Sequence, residues 1–182
     1  MPITESGITL NFPDNNYFRF EDCQGYKEIQ NHFKEMDACW YEQATDTLYI
    51  IELKDWHNGK LIEESDPNFS PQKIAEIKQN ISKSNINILV KKSIDSASMF
   101  ISILLGKPHS TKINVCAPFN ITNTTKIKLL SIINWTNPDV TYIATVNTEY
   151  KTRFASYAKL FDIKVFVVMT KEKASELFSW IS

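Results

Sequence analysis

The chain has 182 residues, of which 43% are hydrophobic and 23% charged, and its formal net charge is −1. This length and composition suit one folded domain over residues 1–182 and exclude a disordered or fibrous protein. The four glycines are too few and too scattered for a glycine-rich phosphate loop. The balanced charge excludes a broadly basic surface, so any contact with nucleic acid must come from a local patch or a partner subunit.

The cysteines and the amino-terminal residues bear on location. Cys23, Cys39 and Cys116 are odd in number and lack the spacing of a metal site, which is typical of reduced core cysteines in a cytoplasmic protein. The first residues contain no basic segment followed by an apolar run, so no signal peptide is expected. No apolar stretch is long enough to span a bilayer. We therefore expect a cytoplasmic protein that does not enter a membrane.

The first third of the chain predicts two β-hairpins separated by a short helix. Apolar and polar residues alternate on both sides of a turn at residues 13–16, which is the pattern of an N-terminal hairpin. A second hairpin is predicted around the polar segment 43–46, and its second strand is apolar enough to be largely buried. The predicted segments are strand 7–12, strand 17–21, helix 24–33, strand 36–41 and strand 47–54.

A polar loop over residues 57–70 leads into a long helical pattern. Ser70 followed by Pro71 favours a helix start, because serine caps the first turn and proline is tolerated there. The pattern continues to Leu105. We expect two helices that break near residues 82–85, where serine, lysine and asparagine interrupt the apolar pattern.

The rest of the chain alternates between strand and helix patterns. The predicted segments are strand 113–118, helix 124–133, strand 140–146, helix 149–160, strand 165–169 and helix 171–180. Such alternation is typical of parallel crossovers. We therefore predict an α/β fold, a mixed β-sheet flanked by helices, with an N-terminal β-hairpin and a C-terminal βαβα extension.

One charged pair lies inside the apolar strand 47–54. Glu52 and Lys54 are two residues apart, so both project from the same face of the strand. Burying a carboxylate and an ammonium costs several kcal/mol of desolvation each, unless they are paired, metal-bound or open to a cleft. Three other acid-x-lysine triplets occur in the chain, but none lies inside an apolar strand.

Asp37 lies on the partner strand of the same hairpin. Pairing around the turn places Asp37 opposite Glu52 or Lys54, and cross-strand neighbours have Cβ atoms about 5 Å apart. Three charged groups are therefore expected to converge at one end of the sheet. From the pattern alone, a functional site and a structural ion pair remain equally open.

An aspartate after Met36, a hairpin, and then Glu52-Leu53-Lys54 together resemble the PD-(D/E)XK nuclease superfamily over about residues 20–105. The resemblance implies a restriction-endonuclease-like core that binds Mg²⁺ or Mn²⁺. It implies that Asp37 and Glu52 are metal ligands together with the main-chain carbonyl of Leu53, and that Lys54 is the catalytic lysine. Hard oxygen ligands suit these cations. Met36 replaces the proline of the family motif.

The resemblance also suggests three further residues. Many members of the superfamily take a glutamate from a first helix, and Glu28 is the candidate here, although a solvated helix residue is the alternative. The helix after the Glu-x-Lys strand often contacts substrate phosphate. Lys92 is the candidate for that contact, with Asp95 holding it in place. The alternative is a surface Lys–Asp pair.

The expected function is a metal-dependent endonuclease that hydrolyses phosphodiester bonds, with DNA rather than RNA as its substrate, in defence against mobile elements or in genome maintenance. The alternative is a non-catalytic interaction module on the same fold, in which Asp37, Glu52 and Lys54 form a buried ion-pair network. A third option is a subunit that needs a partner to bind nucleic acid. A protein partner or a homo-oligomer is compatible with each of these.

Overall fold

The computed structural model describes residues 2–56, 70–135 and 140–182. The strands are, in chain order, β1 (Ile3–Glu5), β2 (Ile8–Leu10), β3 (Tyr17–Phe18), β4 (Ala38–Glu42), β5 (Thr47–Asp55), β6 (Lys126–Asn134) and β7 (Val165–Thr170). The helices are α1 (Gln24–Lys27), α2 (Pro71–Leu104), α3 (Pro108–Asn114), α4 (Val140–Leu160) and α5 (Lys171–Leu177).

A five-stranded mixed sheet with the order β3-β4-β5-β6-β7 forms the centre of the fold. Strand β4 pairs antiparallel with both β3 and β5, whereas β5, β6 and β7 run parallel to one another. Strand β5 is central and is buried from Thr47 to Leu53, as expected for a strand with a neighbour on each side and both faces covered. The predicted α/β fold with a mixed sheet flanked by helices is confirmed.

The two faces of the sheet bury separate hydrophobic clusters. Helices α2, α3 and α4 cover the first face, where Leu48 and Ile50 of β5 point. The β1–β2 hairpin, helix α5 and the carboxyl-terminal residues cover the second face, where Tyr49, Ile51 and Leu53 point. The alternation of side chains along β5 therefore assigns each of its residues to one face of the sheet or the other.

Helix α2 begins as the sequence predicts but does not break. The Ser70 hydroxyl caps it by accepting a hydrogen bond from the Lys73 amide. The predicted interruption at residues 82–85 is wrong, since one helix runs from Pro71 to Leu104. These residues include neither glycine nor proline, so nothing in the backbone forces a break. Residues 57–69 of the predicted loop lie outside the described part of the chain.

The amino-terminal hairpin exists but uses different strands from those predicted. Strands β1 and β2 pair across Ser6 and Gly7, both of which have positive φ as a tight two-residue turn requires. Strand β3 pairs instead with Trp40 and Cys39 of β4 and so joins the main sheet. The second predicted hairpin, formed by β4 and β5, is confirmed.

In the carboxyl-terminal half, three predicted segments are wrong. Residues 113–118 are not a strand, because 113 and 114 end helix α3 and 115–118 follow it, and residues 140–146 belong to helix α4. Residues 124–133, predicted as a helix, contain most of strand β6. A buried parallel strand is apolar on both faces, so its pattern cannot be told from that of a buried helix. The order βαβα nevertheless holds for β6, α4, β7 and α5.

The cysteine expectation is also corrected. Cys23 and Cys116 form a disulfide that links the start of α1 to the end of α3, and only Cys39 is a free, buried thiol among the described cysteines. The pairing was hidden in the sequence because 93 positions separate the two residues. Disulfides are typical of oxidising compartments, so the cysteines no longer favour the cytoplasm.

None of the helices in the described ranges combines the length and apolar character that a membrane crossing requires.

Candidate functional site

The candidate site lies at the carboxyl-terminal end of β5, beyond the point where its pairing with β4 stops. The β4–β5 ladder begins at Ala38 and Ile51, so the last residues of β5 have a strand neighbour on the β6 side alone. The Asp37 carboxylate takes the place of the missing strand by accepting a hydrogen bond from the Leu53 amide at 2.6 Å. The Leu53 carbonyl accepts a hydrogen bond from the Ser6 hydroxyl at 3.2 Å.

Glu52 carries the buried charge of this site. Its side chain is 0% exposed. It lies on the first face of the sheet, which helices α2, α3 and α4 cover, and we call this face the helix-covered face. Lys54 Nζ lies 2.7 Å from Glu52 Oε1, which is the pairing expected for two residues on one face. The predicted carboxylate and ammonium therefore meet at the end of β5.

Lys92 of helix α2 joins the two carboxylates. Its Nζ lies 3.2 Å from Asp37 Oδ1 and 2.7 Å from Glu52 Oε1, and it donates a hydrogen bond to Glu52 Oε2 at 2.9 Å. Because both acids contact the same nitrogen, Asp37 and Glu52 are close neighbours in space. Asp37, Glu52, Lys54 and Lys92 thus form one cluster, which we call the acid–lysine cluster.

The charges of the acid–lysine cluster shift the pKa of Glu52 and the pKa of Lys92. Burial, and then repulsion from Asp37, raise the pKa of Glu52 to about 7, against the opposing attraction of Lys92 and Lys54. Burial alone would lower the pKa of Lys92, but the carboxylates of Glu52 and Asp37 outweigh it and raise that pKa. The two acids therefore favour a positive charge between them, and Lys92 and Lys54 supply it in this structure.

A third acid lies near the cluster. Burial, and then the charge of Asp37, raise the pKa of Glu5 at the end of β1. Arg19 links these two residues, because its guanidinium donates to Glu5 Oε2 at 2.8 Å and to the Asp37 carbonyl at 3.2 Å. Sequence reasoning missed Glu5, because its hairpin was placed on residues further along the chain.

The prediction that Asp95 holds Lys92 in place is wrong, whereas the substrate contact of Lys92 stays a prediction. Lys92 belongs to the site, but it contacts the two carboxylates and not Asp95. Asp95 instead pairs with Lys91 at 2.7 Å and accepts a hydrogen bond from the Lys34 amide at 2.8 Å. The reason is helix geometry: Lys91 and Asp95 are four residues apart, which is a favoured spacing for an ion pair, while Lys92 faces the sheet.

Glu28 is not brought to the acid–lysine cluster. It follows α1, its side chain is 43% exposed, and it pairs with Lys112 of helix α3 at 2.8 Å. The hydrogen bond from Lys112 lowers the pKa of Glu28, as expected for a surface ion pair. The solvated alternative is therefore the one that the structure supports.

The donor set partly fits a divalent cation. Two carboxylates and the Leu53 carbonyl are hard oxygen ligands, and Mg²⁺ commonly uses one or two carboxylates and completes its shell with water and substrate. Glu52 Oε1 is buried and lacks a hydrogen bond, because its contacts with the two lysines do not have hydrogen-bond geometry. Within residues 2–56, 70–135 and 140–182, no group of three or more His, Cys, Asp or Glu side chains is arranged around a metal position.

Comparison with known proteins yields no relative: no family model, no curated protein and no solved structure matches the chain. The resemblance to the PD-(D/E)XK superfamily therefore rests on its motif residues alone. Any functional assignment depends on the geometry of the acid–lysine cluster.

Proposed function

We propose that this protein is a metal-dependent nuclease that hydrolyses phosphodiester bonds, with DNA as its substrate. The observation that supports the proposal is the convergence of Asp37, Glu52 and Lys54 at the open end of β5. Two acids and a lysine are the residue types that this chemistry requires. The acids would hold a cation, and the lysine would stabilise the negative charge that develops on the phosphate oxygens in the transition state.

In this proposal Asp37, Glu52 and the Leu53 carbonyl hold Mg²⁺ or Mn²⁺. The cation would lower the pKa of a water molecule and neutralise charge on the scissile phosphate. Lys54 is 30% exposed, so its ammonium has access to solvent and to a substrate while it contacts Glu52. Its role is to position the attacking water.

Lys92 gives the same site a second role. Its ammonium neutralises both carboxylates in the absence of a cation, and it must leave them when a cation binds. A freed ammonium beside the site is suited to contact a phosphate oxygen of the substrate. Lys92 is therefore proposed as a phosphate contact, without the help from Asp95 that the sequence suggested.

The biological setting is also a proposal. A restriction-endonuclease-like core and a role in defence against mobile elements or genome maintenance follow from the motif resemblance. A single domain over residues 1–182 follows from the length and composition of the chain. A cytoplasmic location was expected from the cysteines and the amino-terminal residues, and the Cys23–Cys116 disulfide argues against it.

A second candidate function is a non-catalytic interaction module or a subunit that needs a partner. The observation that favours it is the balance of the acid–lysine cluster, since Lys54 and Lys92 neutralise Asp37 and Glu52 without a metal. The net charge of −1 also gives little general attraction to nucleic acid. In this alternative the ion pairs are structural.

A cleavage assay separates the two functions. The purified protein is incubated with Mg²⁺ or Mn²⁺ and with single- and double-stranded DNA and RNA, beside the variants Glu52→Ala and Lys54→Ala. We expect metal-dependent cleavage of DNA that falls about 100-fold or more in each variant, because each removes a group that stabilises the transition state.

The chain offers a matched control in another acid-x-lysine triplet. Asp162 and Lys164 form an exposed ion pair on the surface, so Asp162→Ala and Lys164→Ala should cleave as the wild type does. Cleavage that persists in Glu52→Ala and Lys54→Ala would point to a contaminating nuclease. The absence of cleavage with either metal on every substrate would favour the interaction module.

A further inference from the structure

Two buried side-chain oxygens lack a hydrogen-bond partner in the described part of the chain. They are Oε1 of Glu52 and Oγ of Ser131, whose residues are 0% and 1% exposed. Glu52 Oε1 is still ion-paired, because the ammonium groups of Lys54 and Lys92 each lie 2.7 Å from it. Buried polar atoms in proteins are nearly always paired, so the Ser131 hydroxyl is the group that calls for an explanation. Its position in the sheet supplies one.

The two residues are neighbours on adjacent parallel strands. Glu52 of β5 is the direct register partner of Ser131 of β6, and such strands lie about 4.8 Å apart. The neighbours Leu130 and Ile132 point into the cluster on the opposite face. Ser131 therefore points toward the helix-covered face, which is also the face of Glu52.

The chemistry of the two groups is complementary. An ionised carboxylate can only accept hydrogen bonds, whereas a serine hydroxyl has one proton to donate and can rotate to direct it. In this structure the ammonium of Lys92 contacts both oxygens of the Glu52 carboxylate. When Lys92 leaves that carboxylate, the hydroxyl of Ser131 is a buried donor on the adjacent strand.

We infer that Ser131 is a positioning residue of the proposed metal site, which holds the Glu52 carboxylate in the orientation that binds a divalent cation. The inference rests on the proposed function, because it assigns Ser131 a task only when Glu52 is a ligand. Residues that orient metal ligands by hydrogen bonds typically change metal affinity 10- to 100-fold when they are removed. Ser131 lies in an apolar strand, where an alanine would otherwise serve as well.

The test is the variant Ser131→Ala, with two measurements on the full chain. Mn²⁺ affinity is measured by titration, following the electron paramagnetic resonance signal of the free ion. The melting temperature is measured in the presence of a chelator. We expect Mn²⁺ to bind about tenfold more weakly or worse. The melting temperature should stay unchanged or rise, because the variant removes a buried hydroxyl that has no partner without metal.

Two further variants sharpen the result. Ser131→Cys keeps the size of the side chain but donates a weak hydrogen bond, so its Mn²⁺ affinity should lie between those of the wild type and Ser131→Ala. Ser110→Ala removes another buried serine, whose hydroxyl donates to the carbonyls of Ser102 in α2 and of Lys107 just before α3. It should lower the melting temperature and leave Mn²⁺ affinity unchanged.

Each remaining outcome overturns the inference in a recognisable way. Unchanged Mn²⁺ affinity in Ser131→Ala would remove Ser131 from the site while leaving the proposed nuclease intact. A fall in both affinity and melting temperature, with no recovery in Ser131→Cys, would assign Ser131 a purely structural role. A wild type that binds no Mn²⁺ would overturn the inference together with the proposed metal site.

Discussion

The two faces of strand β5 solve the same packing problem with opposite chemistry. On the second face, Tyr49 lies against Trp40 and Trp180, with ring centroids 5.3 and 5.7 Å away, in a cluster of apolar and aromatic side chains. On the first face, the apolar residues Leu48 and Ile50 are followed by Glu52, which is equally buried and carries charge. The same strand therefore contains a stabilising face and a face with an internal cost.

The difference between the two faces of β5 indicates which residues are candidates for a function. Aromatic packing stabilises a fold through buried area and ring geometry. A buried carboxylate costs free energy that an ammonium repays only in part, and an apolar residue at its position would often be equally stable. Glu52 is therefore better explained by what it binds than by what it stabilises.

The largest effect is expected on the aromatic face. Trp40→Ala removes a buried ring that stacks on Tyr49 and Phe12 and contacts Trp180. The free energy of unfolding should fall by about 4 kcal/mol, which is typical of a large aromatic residue truncated in a core. Urea denaturation measures it. A loss below about 1 kcal/mol would mean that this face contributes little stability and would break the contrast.

The next effect concerns Lys92. Lys92→Met leaves Asp37 and Glu52 without their shared ammonium, so the free energy of unfolding of the metal-free protein should fall by about 2 kcal/mol. The loss is smaller than for most broken buried ion pairs, because Glu52 can take up a proton. Added Mn²⁺ should restore more stability to the variant than to the wild type, because it no longer displaces Lys92. Thermal denaturation with and without Mn²⁺ measures both effects.

Lys91→Met is the matched control for that prediction. Lys91 precedes Lys92 on the same helix, but its side chain is 55% exposed and contacts Asp95 outside the acid–lysine cluster. Its removal should cost less than about 0.5 kcal/mol and should not alter the response to Mn²⁺. If Mn²⁺ leaves Lys92→Met as unstable as it was, the acid–lysine cluster is a structural ion-pair network.

A smaller effect is expected for Glu52 itself. Glu52→Gln keeps the shape of the side chain, relieves its repulsion with Asp37 and leaves Lys92 paired with Asp37. The free energy of unfolding in a chelator should stay within about 1 kcal/mol of the wild type, because the lost attraction offsets the lost burial cost. Chemical denaturation measures it. A loss of several kcal/mol would show that the charge of Glu52 is there for stability.

The part of this contrast that sequence could predict is the local part. The hairpin that carries Asp37, Glu52 and Lys54 was predictable, because alternating apolar residues and a short polar turn fix both strands and their register. The capped start of helix α2 at Ser70 was predictable for the same reason. Both features depend on neighbours within a few residues or across one turn.

The parts that escaped prediction depend on distant residues. Ser131 lies in an apolar run that the sequence pattern could not distinguish from a helix, so its place beside Glu52 was hidden. Lys92 was noted, but which acids it contacts depends on how helix α2 crosses the sheet. The Cys23–Cys116 pairing and the position of Glu5 also result from long-range packing, which leaves no local signal.

The smallest predicted effect concerns an uncharged pair of hydroxyl groups on the same face of the sheet as Glu52. The Tyr150 hydroxyl of helix α4 lies 2.7 Å from the Ser93 hydroxyl of helix α2, and burial raises the pKa of Tyr150 above its ordinary value of 10.0. The folded state thus keeps a proton that the unfolded chain loses as the pH rises through 10, so stability is complete below that pH and falls above it. Between pH 9 and 10.5 the free energy of unfolding of the wild type should fall by about 0.8 kcal/mol more than that of Tyr150→Phe, as measured by urea denaturation across that range.

If the free energies of unfolding of the two proteins change in parallel with pH, Tyr150 is open to water in the folded state. A difference of the expected sign would show that this face excludes water even where its polar groups carry no charge, which is the condition under which the charge of Glu52 is costly.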